Sequence, residues 1–133
     1  VEVSFSDYSK KLYNVHLSNE MPYKKGISST QQIRYWYFRE VDAVYGWGET
    51  SKIPILPDVS FAGDVENLGV GTLLWTKSEQ KDALGLLVDT GGAFAPNLGQ
   101  FDWFIGMVRN TEHFYKKAKD YPSHAQVDIL LLR

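Results

Sequence analysis

The 133-residue sequence contains no cysteine, and long apolar runs are also missing. Without thiols the chain can form no disulfide framework, no thiolate zinc site and no cysteine nucleophile. No apolar stretch approaches the roughly 20 residues that a membrane-spanning helix requires, so we expect no membrane insertion by these residues. The sequence begins at Val1 without a recognisable signal segment. We therefore expect a processed product or an excised segment, with any leader or anchor outside the sequence.

Charge of one sign is not in excess, because 14 Lys and Arg stand against 16 Asp and Glu. Nucleic-acid binding relies on a basic surface, so no nucleic-acid partner is expected. The three histidines lie far apart and lack metal-ligand spacing, and no cofactor or metal is predicted. Aromatic residues are plentiful at 14%. They suit sheet packing, and they also suit sugar-binding grooves, where a flat ring meets the C–H face of a pyranose.

Short alternating segments predict a mostly β protein. Residues 1–5 (VEVSF) and 13–17 (YNVHL) alternate as half-buried strands do. Residues 110–119 predict the one helix, with Asn110 or Thr111 as its cap and lysines near its end. Short strands with a single helix favour a small barrel. The other predicted strands are residues 34–39, 59–62, 71–76, 83–88, 101–105 and 126–132.

Two aspartates occupy the least generic segments of the sequence. Asp89 ends an apolar strand in LLVDTGGA, and Gly91, Gly92 or both are expected to take positive φ values in a sharp turn. We expect Asp89 to accept backbone N–H groups there, so that its loss costs stability. Asp102 lies thirteen positions further, in GQFDWFIG. Its aromatic neighbours are expected to desolvate the carboxyl in part, which favours a proton donor near neutral pH.

A plainer interpretation is open for each aspartate. Asp89 would cap a turn, and Asp64, in AGDVENLG, would belong to a turn of its own. Strand alternation would turn Phe101 and Trp103 inward and leave Asp102 facing solvent.

The order of these elements resembles the three-aspartate (3D) domain of the membrane-bound lytic murein transglycosylase A (MltA) family. Asp64 comes first, then GVGT at 69–72, DTGGA at 89–93, and Asp102 followed by Gly106. The resemblance covers residues 53–106 and implies a small six-stranded double-psi β-barrel with three aspartates in one groove. It also implies that Asp102 is the catalytic acid and base, with Asp89 beside it within roughly 6 Å, a range in which charges affect each other. The supporting or substrate-binding positions are Asp64, Thr72, Thr90, Gly91, Gly92 and Trp103.

The sequence departs from the family pattern in three places. Residues 68–72 (LGVGT) lack the proline of the family element Ile-Pro-x-Gly-Thr, residues 94–96 (FAP) replace Ile-Lys-Gly, and two extra residues separate the last two aspartates. Full transglycosylases of the family also have a second domain that forms the other wall of the cleft. Here we expect residues 1–133 to form one barrel domain, in which residues 1–47 would supply any reduced accessory wall.

The predicted activity is lytic transglycosylation of peptidoglycan, with the glycan strand as partner and the cell envelope, periplasm or extracellular space, including a virion, as location. Asp102 would protonate the β-1,4 glycosidic oxygen between N-acetylmuramic acid and N-acetylglucosamine, then accept a proton from the muramoyl 6-hydroxyl as the 1,6-anhydro ring closes. One alternative is a non-catalytic wall-binding or structural module of an envelope or virion assembly. Another is a glycoside hydrolase with Asp102 as acid and Asp64, Glu66 or Asp58 as base.

Overall fold

A computed structural model describes residues 1–47 and 53–131 of the chain. The protein is 33% strand and 12% helix, which confirms the predicted mostly β class. It divides into two compact units, Val1–Val44 and Tyr45–Arg133. None of the helices in the described ranges has the length and apolar character to cross a membrane.

The first unit is a three-stranded antiparallel sheet. Its strands are β1 (Glu2–Ser4), β2 (Lys10–Ser18) and β3 (Trp36–Val41), in that order, and a 3-10 turn at Ser29–Gln31 lies between the last two. The predicted strands at 1–5, 13–17 and 34–39 are confirmed. None of residues 1–44, all of which are described, is buried. Alternation predicted β1 and β2, and the strand-forming residues RYWYF favoured β3 over the helical spacing of residues 30–44, although no residue of this unit is buried.

The second unit is a five-stranded mixed sheet with two helices. Its order is β7-β4-β6-β5-β8, and β4 runs parallel to β6 while the other pairs are antiparallel. The five strands expected here are all present, although β7 has only two residues, and residue 132 of the last predicted strand lies outside the described residues. The elements are β4 (Ser60–Ala62), α1 (Val65–Leu68), β5 (Leu73–Lys77), β6 (Ala83–Asp89), β7 (Asp102–Trp103), α2 (Thr111–Ala118) and β8 (Gln126–Leu130).

Two details differ from the predicted fold. The resemblance implies six strands in one barrel, whereas the described residues form eight strands in two sheets and show no closed barrel. The four-residue helix α1 accompanies the predicted helix α2. Helix α1 was missed because it has only one buried side chain, Val65, and hence no apolar period to detect.

The core lies on one face of the second sheet. Phe61, Val65, Leu74 and Leu87 form its buried cluster. Phe61 is paired with Leu87 in β6, so both project from the same face. Around this cluster pack the partly buried side chains of Leu68, Phe101, Trp103 and Val127.

Candidate active site

Asp89 and Asp102 lie in one row across the second sheet. Ala62 of β4 is the partner of Asp89 in β6 and of Asp102 in β7. Because paired residues on adjacent strands project from the same face, both aspartates stand on the face of Ala62. A strand spacing of about 4.8 Å places their Cα atoms about 10 Å apart. The small methyl group of Ala62 leaves the space between the two carboxylates open.

A bulge in β6 decides which way Asp89 faces. While β4 advances by one residue to Ala62, β6 advances by two, from Leu87 to Asp89. Val88 is the extra residue, and its carbonyl oxygen accepts the backbone N–H of Trp47 at 2.7 Å. In a regular strand Leu87 and Asp89 would share a face, whereas the bulge directs Leu87 to the core and Asp89 to the opposite side.

Both aspartates line a cavity of about 290 Å³. Its volume is close to the lower end of the range of roughly 300 to 1,000 Å³ for small-molecule sites. The lining combines two carboxyl groups with apolar and aromatic side chains, a composition typical of ligand pockets. The lining residues are Ile55, Ser60, Phe61, Ala62, Val88, Asp89, Thr90, Phe94, Asp102, Trp103 and Phe104.

The environments of the two carboxyl groups differ. Asp89 is half-buried, and this burial raises its pKa above the ordinary value, with a smaller opposing effect from the backbone N–H of Thr90. Asp102 is exposed, whereas its neighbours Phe101 and Trp103 pack against the core. The expectation that these neighbours desolvate Asp102 is therefore wrong, because strand alternation turns them to the other face. Burial favours the protonated form at Asp89.

Asp64 has a structural position. Its side chain is only 1% exposed and caps α1, accepting the backbone N–H of Asn67 at 3.1 Å and the Asn67 side-chain amide at 2.7 Å. These bonds, led by the side-chain bond from Asn67, hold the pKa of Asp64 below its ordinary value, and the backbone N–H of Asn97 contributes. Asp64 is not among the described residues that line the cavity.

The two glycines after Asp89 do not have the predicted backbone. Neither Gly91 nor Gly92 lies in the positive-φ region, so the predicted sharp turn through left-handed glycines is wrong. Positive φ values occur instead at Gly69 and Gly71, before β5, and at Gly106, after β7. The turn after Asp89 consequently does not depend on glycine at positions 91 and 92.

The remaining predicted positions divide between the cavity and its support. Thr90 lines the cavity. Thr72 donates its hydroxyl to the Leu68 carbonyl at 2.6 Å and so closes the turn between α1 and β5. Trp103 borders the cavity, but its ring stacks on Phe61 with centroids 5.0 Å apart, on the core side of β7. Its indole Nε1 is buried and has no hydrogen-bond partner among the described residues.

Sequence reasoning missed several residues of the cavity wall. Ala62 was predicted only as the end of a strand, and Phe94 is buried against the cavity although it sits in a loop rich in turn residues. No local pattern distinguishes these positions, because their role depends on strand pairing. The described residues contain no group of three His, Asp or Glu positioned to hold a metal ion.

Neither a family model nor a curated protein matches the chain. A solved structure, that of the lytic transglycosylase LtgG of Burkholderia pseudomallei, is similar at 19% sequence identity, with a TM-score of 0.43. The match covers 76% of this chain and 42% of that chain, so the present sequence spans less than half the length of that protein. Membership of the three-aspartate family stays a prediction.

Proposed function

We propose that the protein is a lytic murein transglycosylase that cleaves the β-1,4 bond between N-acetylmuramic acid and N-acetylglucosamine and forms 1,6-anhydro-N-acetylmuramic acid. The observation that carries this proposal is the row of Asp89, Ala62 and Asp102 over one cavity. Peptidoglycan glycan strands are the proposed substrate. The cell envelope, the periplasm or the extracellular space is the proposed location.

In the proposed reaction Asp102 is both the acid and the base. Its carboxyl donates a proton to the glycosidic oxygen while the bond from that oxygen to C1 of the muramoyl residue breaks. The 6-hydroxyl oxygen of the same sugar then bonds to C1, and its proton passes to the Asp102 carboxylate. No water is consumed, so the two-carboxylate separation of ordinary glycosidases is not required. The exposed position of Asp102 supports contact with a polymer that cannot enter a closed pocket.

Asp89 supports this chemistry from the inner part of the cavity. Because burial raises its pKa, Asp89 favours the protonated form more than an exposed aspartate does. When Asp89 is protonated, it can donate a hydrogen bond to an ionised Asp102. When Asp89 is ionised, it can accept a hydrogen bond from a protonated Asp102. Asp89 would thereby hold Asp102 across the methyl group of Ala62.

A water-using hydrolase is less well supported by the positions of its candidate bases. Asp58 accepts Lys81 at 2.6 Å and the Tyr121 hydroxyl at 2.5 Å, and Asp64 is a buried helix cap. Glu66 is exposed on α1. None of these three is among the described residues that line the cavity. This distribution favours the use of the 6-hydroxyl of the sugar over the activation of water.

The double-psi β-barrel and the accessory wall belong to the same proposal. The parallel pairing of β4 and β6 within an otherwise antiparallel sheet is compatible with a barrel that has crossed connections. Residues 1–47 as a reduced accessory wall stay a prediction.

The deciding experiment is incubation of the full chain with purified murein sacculi, followed by mass spectrometry of the soluble products. Anhydro-muropeptides are expected. Products with a free reducing end would instead identify a hydrolase. Binding to sacculi without release of any product would overturn the proposal in favour of a wall-binding module.

Asp102→Asn tests the assigned acid and base in the same assay. An amide can neither deliver the proton to the glycosidic oxygen nor accept one from the 6-hydroxyl. One positioned acid–base group contributes about 10²- to 10⁴-fold, and since Asp102 serves both transfers we expect a loss at the upper end. Asp120→Asn, at an exposed aspartate after α2, is the matched control and should keep full activity. Retention of most activity by Asp102→Asn would show that the assignment is wrong.

A further inference from the structure

Behind β7, on the face opposite Asp102, lies a group that we name the rear cluster: Asp58, Lys81, Trp103 and Tyr121. Lys81 Nζ lies 4.5 Å from the ring centroid of Tyr121 and 5.2 Å from that of Trp103. The two rings meet edge-on with centroids 5.1 Å apart. Asp58 Oδ1 accepts both the Lys81 ammonium at 2.6 Å and the Tyr121 hydroxyl at 2.5 Å. One cation thus joins two rings and one carboxylate.

The strand that this cluster contacts is held by few backbone bonds. β7 has two residues, and β4 is its only strand neighbour among the described residues. Next to it, the Phe104 N–H donates to Ser60 O at 2.9 Å and the Asp58 N–H donates to Phe104 O at 3.0 Å. Asp58 therefore bonds through its backbone to Phe104, the residue after β7, and through its carboxylate to the Lys81 ammonium that lies near the Trp103 ring. So short a strand depends on such contacts for its placement.

The cluster is better suited to local placement than to overall stability. The Lys81 and Asp58 side chains are 34% and 49% exposed, and ion pairs at such exposure contribute little to the free energy of unfolding. The pKa of Asp58 is lowered, chiefly by the hydrogen bond from Lys81, and the pKa of Lys81 is raised by the same bond. Both groups consequently stay charged across the neutral range. Cation–π contacts then hold the ammonium against the Trp103 ring.

We propose that Lys81 is a positioning residue for Asp102, acting through the rear cluster and Trp103. Trp103 and Asp102 are consecutive residues of one strand and project to opposite faces. The indole contacts Phe61, Tyr121 and the Lys81 ammonium, and these contacts together set the rotation of β7 about its axis. That rotation determines where the Asp102 carboxyl lies relative to Asp89. This inference rests on the proposed catalytic role of Asp102.

Lys81→Met in the full chain removes the ammonium but keeps a flexible stem. Lys77→Met is the matched control, because Lys77 forms an ion pair of the same length, 2.6 Å, with Asp128 on the same sheet and away from Trp103. A displacement of about 1 Å in a catalytic group can cost up to about 100-fold in rate. We expect kcat on sacculi to fall about 10- to 100-fold for Lys81→Met, with KM and melting temperature close to those of Lys77→Met. Lys81→Arg, which keeps a cation over the rings, should restore most of the rate.

A second measurement separates this inference from the proposed activity. The ¹³C resonance of the Asp102 side-chain carboxyl reports its surroundings without substrate, so it decides the matter even if the wild-type protein releases no product. It should shift in Lys81→Met and in Tyr121→Phe, which loses only the hydroxyl bonded to Asp58, and stay unchanged in Lys77→Met. Equal carboxyl resonances in all three variants and the wild type would overturn the inference, as would equal kcat values for Lys81→Met and Lys77→Met in an active enzyme.

Discussion

Asp89 and Asp102 share a cavity but not an environment. Asp102 stands exposed at the edge of the sheet, while Asp89 is half-buried next to the bulge of β6. A carboxylate loses hydration when it is buried, and its charged form is thereby disfavoured. Burial therefore removes hydration from Asp89, the supporting aspartate. Asp102, the proposed acid and base, stays accessible to a polymer.

Asp89→Asn should raise the stability of the protein at neutral pH. Burial raises the folded-state pKa of Asp89, so the folded state disfavours the carboxylate, and stability falls as the pH rises from the unfolded value through the folded one. An amide carries no such penalty. Thermal unfolding at pH 7 should give a higher melting temperature for Asp89→Asn, with the difference shrinking as the pH falls from the folded-state pKa and vanishing below the unfolded value of about 3.9. The backbone N–H bonds that the sequence predicts at Asp89 would instead make Asp89→Asn less stable than the wild type. A lower melting temperature for Asp89→Asn at pH 7 would support that interpretation and contradict the present one.

Asp64 should show the opposite pH dependence. Its folded-state pKa is lowered by Asn67, so its contribution to stability is complete above the unfolded value of about 3.9 and is lost as the pH falls through the folded value. Asp64→Asn keeps a capping side chain but cannot ionise. Its melting temperature should lie below that of the wild type at neutral pH and approach it in acid. A difference that is the same at every pH, or an equal difference for exposed Asp120→Asn, would contradict this assignment.

The bulge of β6 is the element that forms the row of carboxylates. It depends on a close approach of two backbones, because Trp47 N–H bonds to Val88 O and a side chain at Gly46 would overlap that carbonyl. Only glycine permits this approach at position 46. The short segment before residue 48 is therefore as important to the site as the strand that bears Asp89.

Gly46→Ala should destabilise the second unit. The added methyl group would overlap the Val88 carbonyl, and overpacking of this kind costs about 1–3 kcal/mol. Gly92→Ala is the matched control, since an added methyl group there meets nothing within 4 Å and the backbone is not in the positive-φ region. Chemical denaturation should show a loss for Gly46→Ala and a change of no more than about 1 kcal/mol, in the stabilising direction, for Gly92→Ala. Equal effects would mean that the backbone at position 46 has room to move.

The two units of the chain differ in how they are stabilised. Residues 45–131, where described, include a buried cluster in which Leu74 and Leu87 are fully excluded from solvent. Residues 1–44, all described, contain no buried side chain, and large apolar groups such as Phe5 and Phe38 are exposed. Strands in such a sheet are held mainly by backbone hydrogen bonds, because exposed ion pairs such as that of Lys11 with Glu40 contribute little.

Amide hydrogen exchange should separate the units. Segments with few buried apolar contacts open locally at low free energy, whereas core strands exchange only in global unfolding. We expect the amides of β1–β3 to exchange faster than those of β4–β6, and their rates to respond little to low denaturant. Leu87→Ala, which removes a core side chain at a cost of about 2–5 kcal/mol, should accelerate exchange in β4–β6. Protection of β1–β3 equal to that of β4–β6 would contradict this division.

Local patterns were sufficient for most of the secondary structure. Alternation in VEVSF and YNVHL predicted β1 and β2, and Asn110 with its following charges predicted α2, whose cap accepts the His113 N–H at 2.8 Å. These features depend on neighbours within a few residues. The order of Asp64, DTGGA and Asp102, which resembles the three-aspartate pattern, predicted which carboxyl groups belong to the site. It did not indicate which of them would be buried.

The sequence by itself determined the strand content and the capped helix, because each depends on short-range geometry, while the resemblance to the three-aspartate pattern indicated the pair of aspartates. Only the tertiary structure decided that Asp89 faces the cavity, that Ala62 lies between it and Asp102, and that Asp64 is a buried cap. The face on which Asp89 lies depends on a hydrogen bond between Val88 and Trp47, far apart in the chain. Pairing across such distances fixes strand register, and a shift of one residue moves a side chain to the opposite face of the sheet.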